Sequence, residues 1–135
     1  MRLRLAVISL FLAAVPAALA ALPFKAKLTA ATHTPKVNTR WPYSVRVTTL
    51  KGKPMRARIT VQIVDPLGGV HPVEFGDRKV NVVDHPFTGT FRDYVIWPPS
   101  SATTIAGQPV TLVFRTTVKT AKGKVVLRYR VTPHT

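Results

Sequence analysis

Four runs of the chain alternate apolar and polar residues with a period of two: Tyr43–Thr49, Ala57–Val64, Val110–Val118 and Val125–Thr132. That period is the mark of a strand with one buried face, because successive side chains of an extended chain point to opposite sides. In the first run Tyr43, Val45 and Val47 point one way while Ser44, Arg46 and Thr48 point the other. Val, Thr and Ile supply 41 of the 135 residues, and branching at Cβ suits a pleated surface better than a helix. No stretch after the N-terminal segment carries the i, i+3, i+4, i+7 apolar spacing of a long amphipathic helix.

The punctuation between runs completes an all-β reading. Lys51-Gly52-Lys53-Pro54 is a turn that predicts a hairpin from the first two runs, and Ala121-Lys122-Gly123-Lys124 predicts a second hairpin from the last two. An opening strand around Phe24–Ala30, short runs at Val73–Phe75 and Val80–Val83, and an extended stretch at Thr90–Trp97 bring the count to seven or eight. Strands at such intervals point to an antiparallel β-sandwich, with a small closed barrel as the structural alternative. Ser100–Gln108 is too poor in apolar residues for an inward face and reads as the longest loop.

The N-terminal segment has another logic. Arg2 and Arg4 precede an apolar stretch from Leu5 to Val15, and Ala18-Leu19-Ala20 supplies the small-x-small pattern of a cleavage site. This predicts a signal peptide over residues 1–20, cleaved after Ala20, and a single domain over 21–135 in a secreted or extracytoplasmic bacterial setting. The alternative is an uncleaved N-terminal membrane anchor, since the charge-free run from Leu5 to Phe24 is long enough to span a bilayer. The chain has no cysteine, so such a domain holds itself by packing without disulfides.

Trp41-Pro42-Tyr43-x-Val45-x-Val47, followed by Gly52-Lys53-Pro54 and a second alternating strand, resembles the opening of small secreted immunoglobulin-like domains of bacteria. Gly107-Gln108-Pro109-Val110-Thr111-Leu112 and the hairpin Val110–Thr132 are similar to the last two strands of that group. The resemblance covers most of Lys36–Thr132. It implies an immunoglobulin-like fold of about seven strands, an extracytoplasmic place, and a role in binding, spacing or presenting; no catalytic residues carry over. The chain departs from larger members in having no tandem copy, no sorting signal and few carboxylates.

The charge is the feature most open to a functional reading. Twenty Lys and Arg against five Asp and Glu give a net charge of +15, which becomes +13 when Arg2 and Arg4 leave with the signal segment. In an immunoglobulin-like topology the third strand shares a sheet with the last two. Alternation then sets Arg58, Arg115, Arg128 and Arg130 on one outward face among Thr111, Thr117 and Thr132, with Lys119, Lys122 and Lys124 near the hairpin tip. Arginine forks suit phosphate and carboxylate, and a cluster of them concentrates polyanions. The plain alternative is an ordinary solvated sheet face, although such a face normally mixes signs.

Other chemistries have less support. His71, Glu74 and the pair Asp84-His85 converge if the two short runs pair, with His33 or Met55 nearby, but none has a metal-ligand spacing, and no metal or cofactor is expected. Asp77, Asp84 and Asp93 sit beside Arg78, His85 and Arg92 as local charge partners. Ser100 and Ser101 have no evident activator, so no enzyme is expected. Trp41 and Trp97, each next to proline, either close the ends of the core or form an exposed partner patch. Phe75, Phe91 and Phe114 read as core, which leaves no stacking platform for single-stranded nucleic acid, and no physiological nucleic-acid partner is expected. The sequence therefore predicts an exported, non-enzymatic module that binds anionic envelope polymer or a membrane surface through its basic face. Its alternative is a protein-interaction subunit that uses a sheet edge or the Trp41 and Trp97 ends.

Overall fold

The structure is a computed structural model and describes residues 22–135; the expected signal peptide and its cleavage point lie outside the described residues. Among the described residues ten strands follow one another: β1 (Phe24–Ala30), β2 (Arg40–Thr49), β3 (Arg56–Val64), β4 (Val70–Pro72), β5 (His85–Thr88), β6 (Thr90–Ile96), β7 (Thr104–Ile105), β8 (Gln108–Pro109), β9 (Leu112–Thr120) and β10 (Gly123–Val131). They build an antiparallel β-sandwich. One sheet has the order β1-β2-β6; the other runs β10-β9-β3-β4, with β5 also paired to β3. The third strand thus shares a sheet with the last two long ones, as the sequence predicts.

The final hairpin, β9 with β10, forms over the expected residues, from Gly123 opposite Thr120 to Val131 opposite Leu112. The first expected hairpin does not. β2 pairs with β1 and β6, β3 pairs with β9, β4 and β5, and the turn between β2 and β3 is a corner that crosses from one sheet to the other. Two strands that face each other across a sandwich both turn their apolar side to the same core. Their alternation is therefore identical to that of a hairpin, and only the pairing partners distinguish the two. At this corner Thr48, expected outward, is buried.

Side chains from the two inner faces meet at an aromatic centre. The Trp41 ring from β2 lies edge-on to Phe114 of β9 at 5.0 Å and to Trp97 at 5.4 Å, and Tyr43 lies 4.7 Å from Phe114. Val45, Val47, Ile59, Val61, Val118 and Val131 fill the space around them. Trp41 and Trp97 are 2% and 0% exposed, and the Trp41 indole N–H donates to Thr32 O at 2.7 Å. They close the core, so the partner patch expected as an alternative at these residues is not available. Packing decided the matter, since an indole buries more apolar surface than any other side chain.

Between Val64 and β6 the chain leaves β3, runs along its edge and returns. The two short runs pair through Phe75 N–H to Val80 O and Val82 N–H to Val73 O, both 2.8 Å, and both runs bond to Val61 of β3. Val73 and Val82 are buried, but Phe75 is only half-buried and carries the Arg78 guanidinium 4.0 Å above its ring. Its expected core position is thus a rim position: Phe75 packs against the core from the segment alongside β3, 6.3 Å from Phe91, with part of its ring exposed. The expected long loop Ser100–Gln108 holds a 3₁₀ turn at Pro99–Ser101 and the small β7–β8 hairpin. Ala106 and Gly107 at its tip both have positive φ, the backbone that a two-residue hairpin turn demands.

Candidate anion-binding face

The register of β3, β9 and β10 decides which outward side chains are neighbours. Arg58 stands opposite Lys119, and Lys119 opposite Lys124, so three cations cross the sheet in one row. Thr60, Thr117 and Val126 form the next row. Gln62, Arg115 and Arg128 form the third, and Val64, Val113 and Arg130 the fourth. Beyond it the hydroxyls of Thr111 and Thr132 bond to each other at 2.8 Å. Lys122 sits at the β9–β10 tip, its backbone N–H bonded to Thr120 Oγ1 at 3.0 Å. All seven residues expected on the basic face are therefore brought to that sheet face or its tip.

They are not equally free. The Arg58 guanidinium donates to Asp84 O at 2.8 Å and lies 3.6 Å from Asp84 Oδ2. Arg115 is half-buried and donates to Gln62 Oε1 at 2.7 Å. Lys119, Lys122, Lys124, Arg128 and Arg130 are exposed and, among the described residues, have no carboxylate partner. Arg56 belongs to the same face and was missed. It has the same parity on β3 as Arg58 and lines with it, Lys119, Pro86, Phe87 and Thr88 a shallow hollow of about 550 Å³; parity alone sufficed to place it.

All five acids, Asp65, Glu74, Asp77, Asp84 and Asp93, fall between residues 65 and 93. β9 and β10 contain none, and the acid that reaches this face is Asp84, beside Arg58 at its β3 side. Like charges directly opposite each other on neighbouring strands destabilise a sheet, by roughly 0.2–1 kcal/mol for each pair. The face holds three such pairs: Arg58 with Lys119, Lys119 with Lys124, and Arg115 with Arg128.

The other candidates separate. The two short runs do pair, with Glu74 opposite Asn81, but the histidines go elsewhere. His71 Nε2 meets Asp65 Oδ2 at 2.8 Å, and Asp65 also accepts the N–H groups of Leu67 and Gly69. These bonds, the His71 contact first, hold its carboxyl below the usual carboxylate range. His85 stands edge-on to Phe75 and Phe91. His33 stacks flat on Tyr129 at 4.0 Å, with Nδ1 2.6 Å from Arg130 O. Among the described residues no three metal-ligating side chains converge.

Asp65, His71, Glu74, Ser100 and Ser101 line one cleft of about 660 Å³ over Trp97. Ser101 Oγ donates to Pro98 O at 2.6 Å, which ties down its own turn. No hydroxyl bonds to His71 among the described residues, so the nucleophile–base contact of covalent catalysis is not made there. No helix among the described residues is long and apolar enough to cross a membrane.

No protein-family model matches the chain, and no curated protein matches it. Among solved structures, a domain of the outer membrane lipoprotein Omp28 from Porphyromonas gingivalis aligns over 85% of this chain and 93% of its own, with 12% identity and a TM-score of 0.43. A likeness of that size transfers no role.

Proposed function

We propose that this chain is an exported, immunoglobulin-like binding module that holds anionic, phosphate-bearing material of the cell envelope on the outer face of β3, β9 and β10. One observation carries the reading: the face sets cations opposite cations along Arg58–Lys119–Lys124 and Arg115–Arg128, with no acid on β9 or β10. A sheet selected only for stability would mix signs there. A bound anion converts each unfavourable pair into a site that shares one phosphate between two side chains. Basic residues near an anionic surface contribute about 1 kcal/mol each, so a face of this size supports affinity of about 10 µM.

The alternative, partner binding at a sheet edge, has less to recommend it. β10 is an edge strand, but Lys124, Arg128 and Arg130 project along it, and charge at an edge opposes the addition of another strand. Nucleic acid would bind through its phosphates in vitro. Phe91 and Phe114 are buried in the core and the half-buried Phe87 alone of these borders the basic residues, so the face lacks the row of rings on which successive bases stack.

The test uses anionic vesicles, a phosphodiester polymer and a neutral polysaccharide over a salt series, with the protein and its Arg58→Glu/Arg115→Glu/Arg128→Glu/Arg130→Glu variant. The anionic ligands are expected to bind, to weaken as salt rises, and to lose at least about tenfold in affinity with the variant. Binding unchanged by salt and by the substitutions overturns the proposal. N-terminal sequencing of the exported protein is expected to begin at Ala21.

A further inference from the structure

The sheet on the opposite side of the sandwich has its own cationic face. Lys27 of β1 stands opposite Arg46 of β2, another like-charge pair, and the Arg46 guanidinium reaches Thr90 Oγ1 of β6 at 3.3 Å. Lys25 lies one outward position along β1, Arg92 stands opposite Ser44, and Arg40 lies 4.4 Å over the Tyr94 ring. All five are exposed, and among the described residues none forms an ion pair. β1 and β2 carry no acid; Asp93 of β6, in register with the inward-facing Tyr43, accepts the Gly76 N–H and with Asp77 borders the hollow beside Arg40 and Arg92, so Lys25, Lys27 and Arg46 are the cations set apart from any acid.

The two faces point away from each other. Packed sheets lie about 10 Å apart, and side chains carry the charges further out on both sides, to a separation of about 20 Å. The screening length at physiological salt is about 8 Å. An anion on one face therefore neither competes with nor repels an anion on the other. Each face spreads its cations over three strands. A two-dimensional array of cations matches the two-dimensional array of phosphates on a lipid surface, whereas a single polymer chain would engage one row.

We propose that the domain bridges two anionic membrane surfaces, the β3–β9–β10 face on one and the β1–β2–β6 face on the other. The proposal rests on the anion-binding reading above and adds the second, simultaneous site. Its test compares binding with clustering, using vesicles of phosphatidylglycerol in phosphatidylcholine and protein recovered from the extracytoplasmic fraction. Sedimentation reports binding, and dynamic light scattering reports vesicle size.

The unaltered protein is expected to cluster vesicles at intermediate protein-to-lipid ratios and to release them at excess protein, when each vesicle is coated separately. Lys27→Glu/Arg46→Glu/Arg92→Glu is expected to bind within about threefold of the unaltered protein through the other face and to leave vesicle size unchanged. Lys27→Gln/Arg46→Gln/Arg92→Gln, which only removes charge, is expected to reduce clustering in the same direction. Clustering that survives both substitutions, binding without clustering by the unaltered protein, or clustering confined to a phosphodiester polymer each overturns bridging while the single-face reading stands. Absence of any binding by the unaltered protein removes both.

Discussion

Arg115 of β9 and Arg128 of β10 are cross-strand partners, two like charges in register on the solvent side of strands without a carboxylate. Arg115 is held by Gln62 Oε1 at 2.7 Å, while Arg128 remains exposed with no acidic partner among the described residues. Like charges in register weaken a sheet, and under the proposed function a bound anion offsets that cost. Stability and ligand affinity should therefore respond to the same substitution with opposite signs.

Arg128→Glu replaces that repulsion with an attraction across the rung. It is expected to stabilise the domain by about 0.5–1 kcal/mol at low salt, a rise of about 2–4 °C in Tm, and to weaken binding to anionic vesicles. Thermal unfolding and vesicle sedimentation of one preparation check both signs. A variant that loses both stability and binding would show Arg128 to be a structural residue.

The strands and their inward residues were legible because a period of two records burial directly: Val45, Ile59, Phe114 and Val131 all lie where alternation puts them. Parity also placed Arg58, Arg115, Arg128 and Arg130 outward. The corner at Lys51–Pro54 was not legible, since strands facing one core from opposite sheets carry the same pattern as a hairpin. Nor was the seat of Phe75, whose run is short and lies on the rim. The cationic face of β1–β2–β6 went unread for a related reason. Arg46 alone suggests a scattered charge, and only the pairing of β2 with both β1 and β6 gathers Lys27, Arg46 and Arg92 together.

Gly76 lies flat against Tyr94, and a Cβ added there would come within 2.7 Å of three ring carbons. Its N–H also bonds to both Asp93 carboxylate oxygens, at 3.1 and 3.2 Å, which ties the segment between β4 and β5 to β6. Gly76→Ala is expected to cost about 1–3 kcal/mol through overpacking. Urea unfolding measures the loss, and limited proteolysis should locate new cleavage around residues 74–81. Adding Tyr94→Leu should recover part of the stability by removing the ring.

Asp65 gives the turn after β3 a pH dependence whose sign follows from its bonds. The carboxylate accepts from His71, Gly69 and Leu67, so its folded pKa lies below the ordinary carboxylate value. The unfolded chain then binds the proton more readily than the folded one. The stabilisation is present above the unfolded value, near 3.8, and is lost as pH falls through the lower folded value. Asp65→Asn keeps an acceptor for the backbone N–H groups but does not titrate. Its stability should fall less steeply than that of the unaltered protein as pH drops below about 4; equal slopes would show that the carboxylate charge is not the cause.

Thr116 is the one β9 position where an inward side chain is out of keeping with the core. It is 0% exposed, stands between Val61 of β3 and Leu127 of β10, and its hydroxyl has no hydrogen-bond partner among the described residues. Burying an unpaired hydroxyl costs about 1–3 kcal/mol, and valine has nearly the same shape without that cost. Thr116→Val is expected to raise stability by about 1 kcal/mol in urea unfolding with an unchanged m-value. Because the side chain points into the core, affinity for anionic vesicles should stay the same. The substitution thereby separates packing from the charged faces: a change in binding would mean that the arginine rows depend on strain in β9 as well as on their charge.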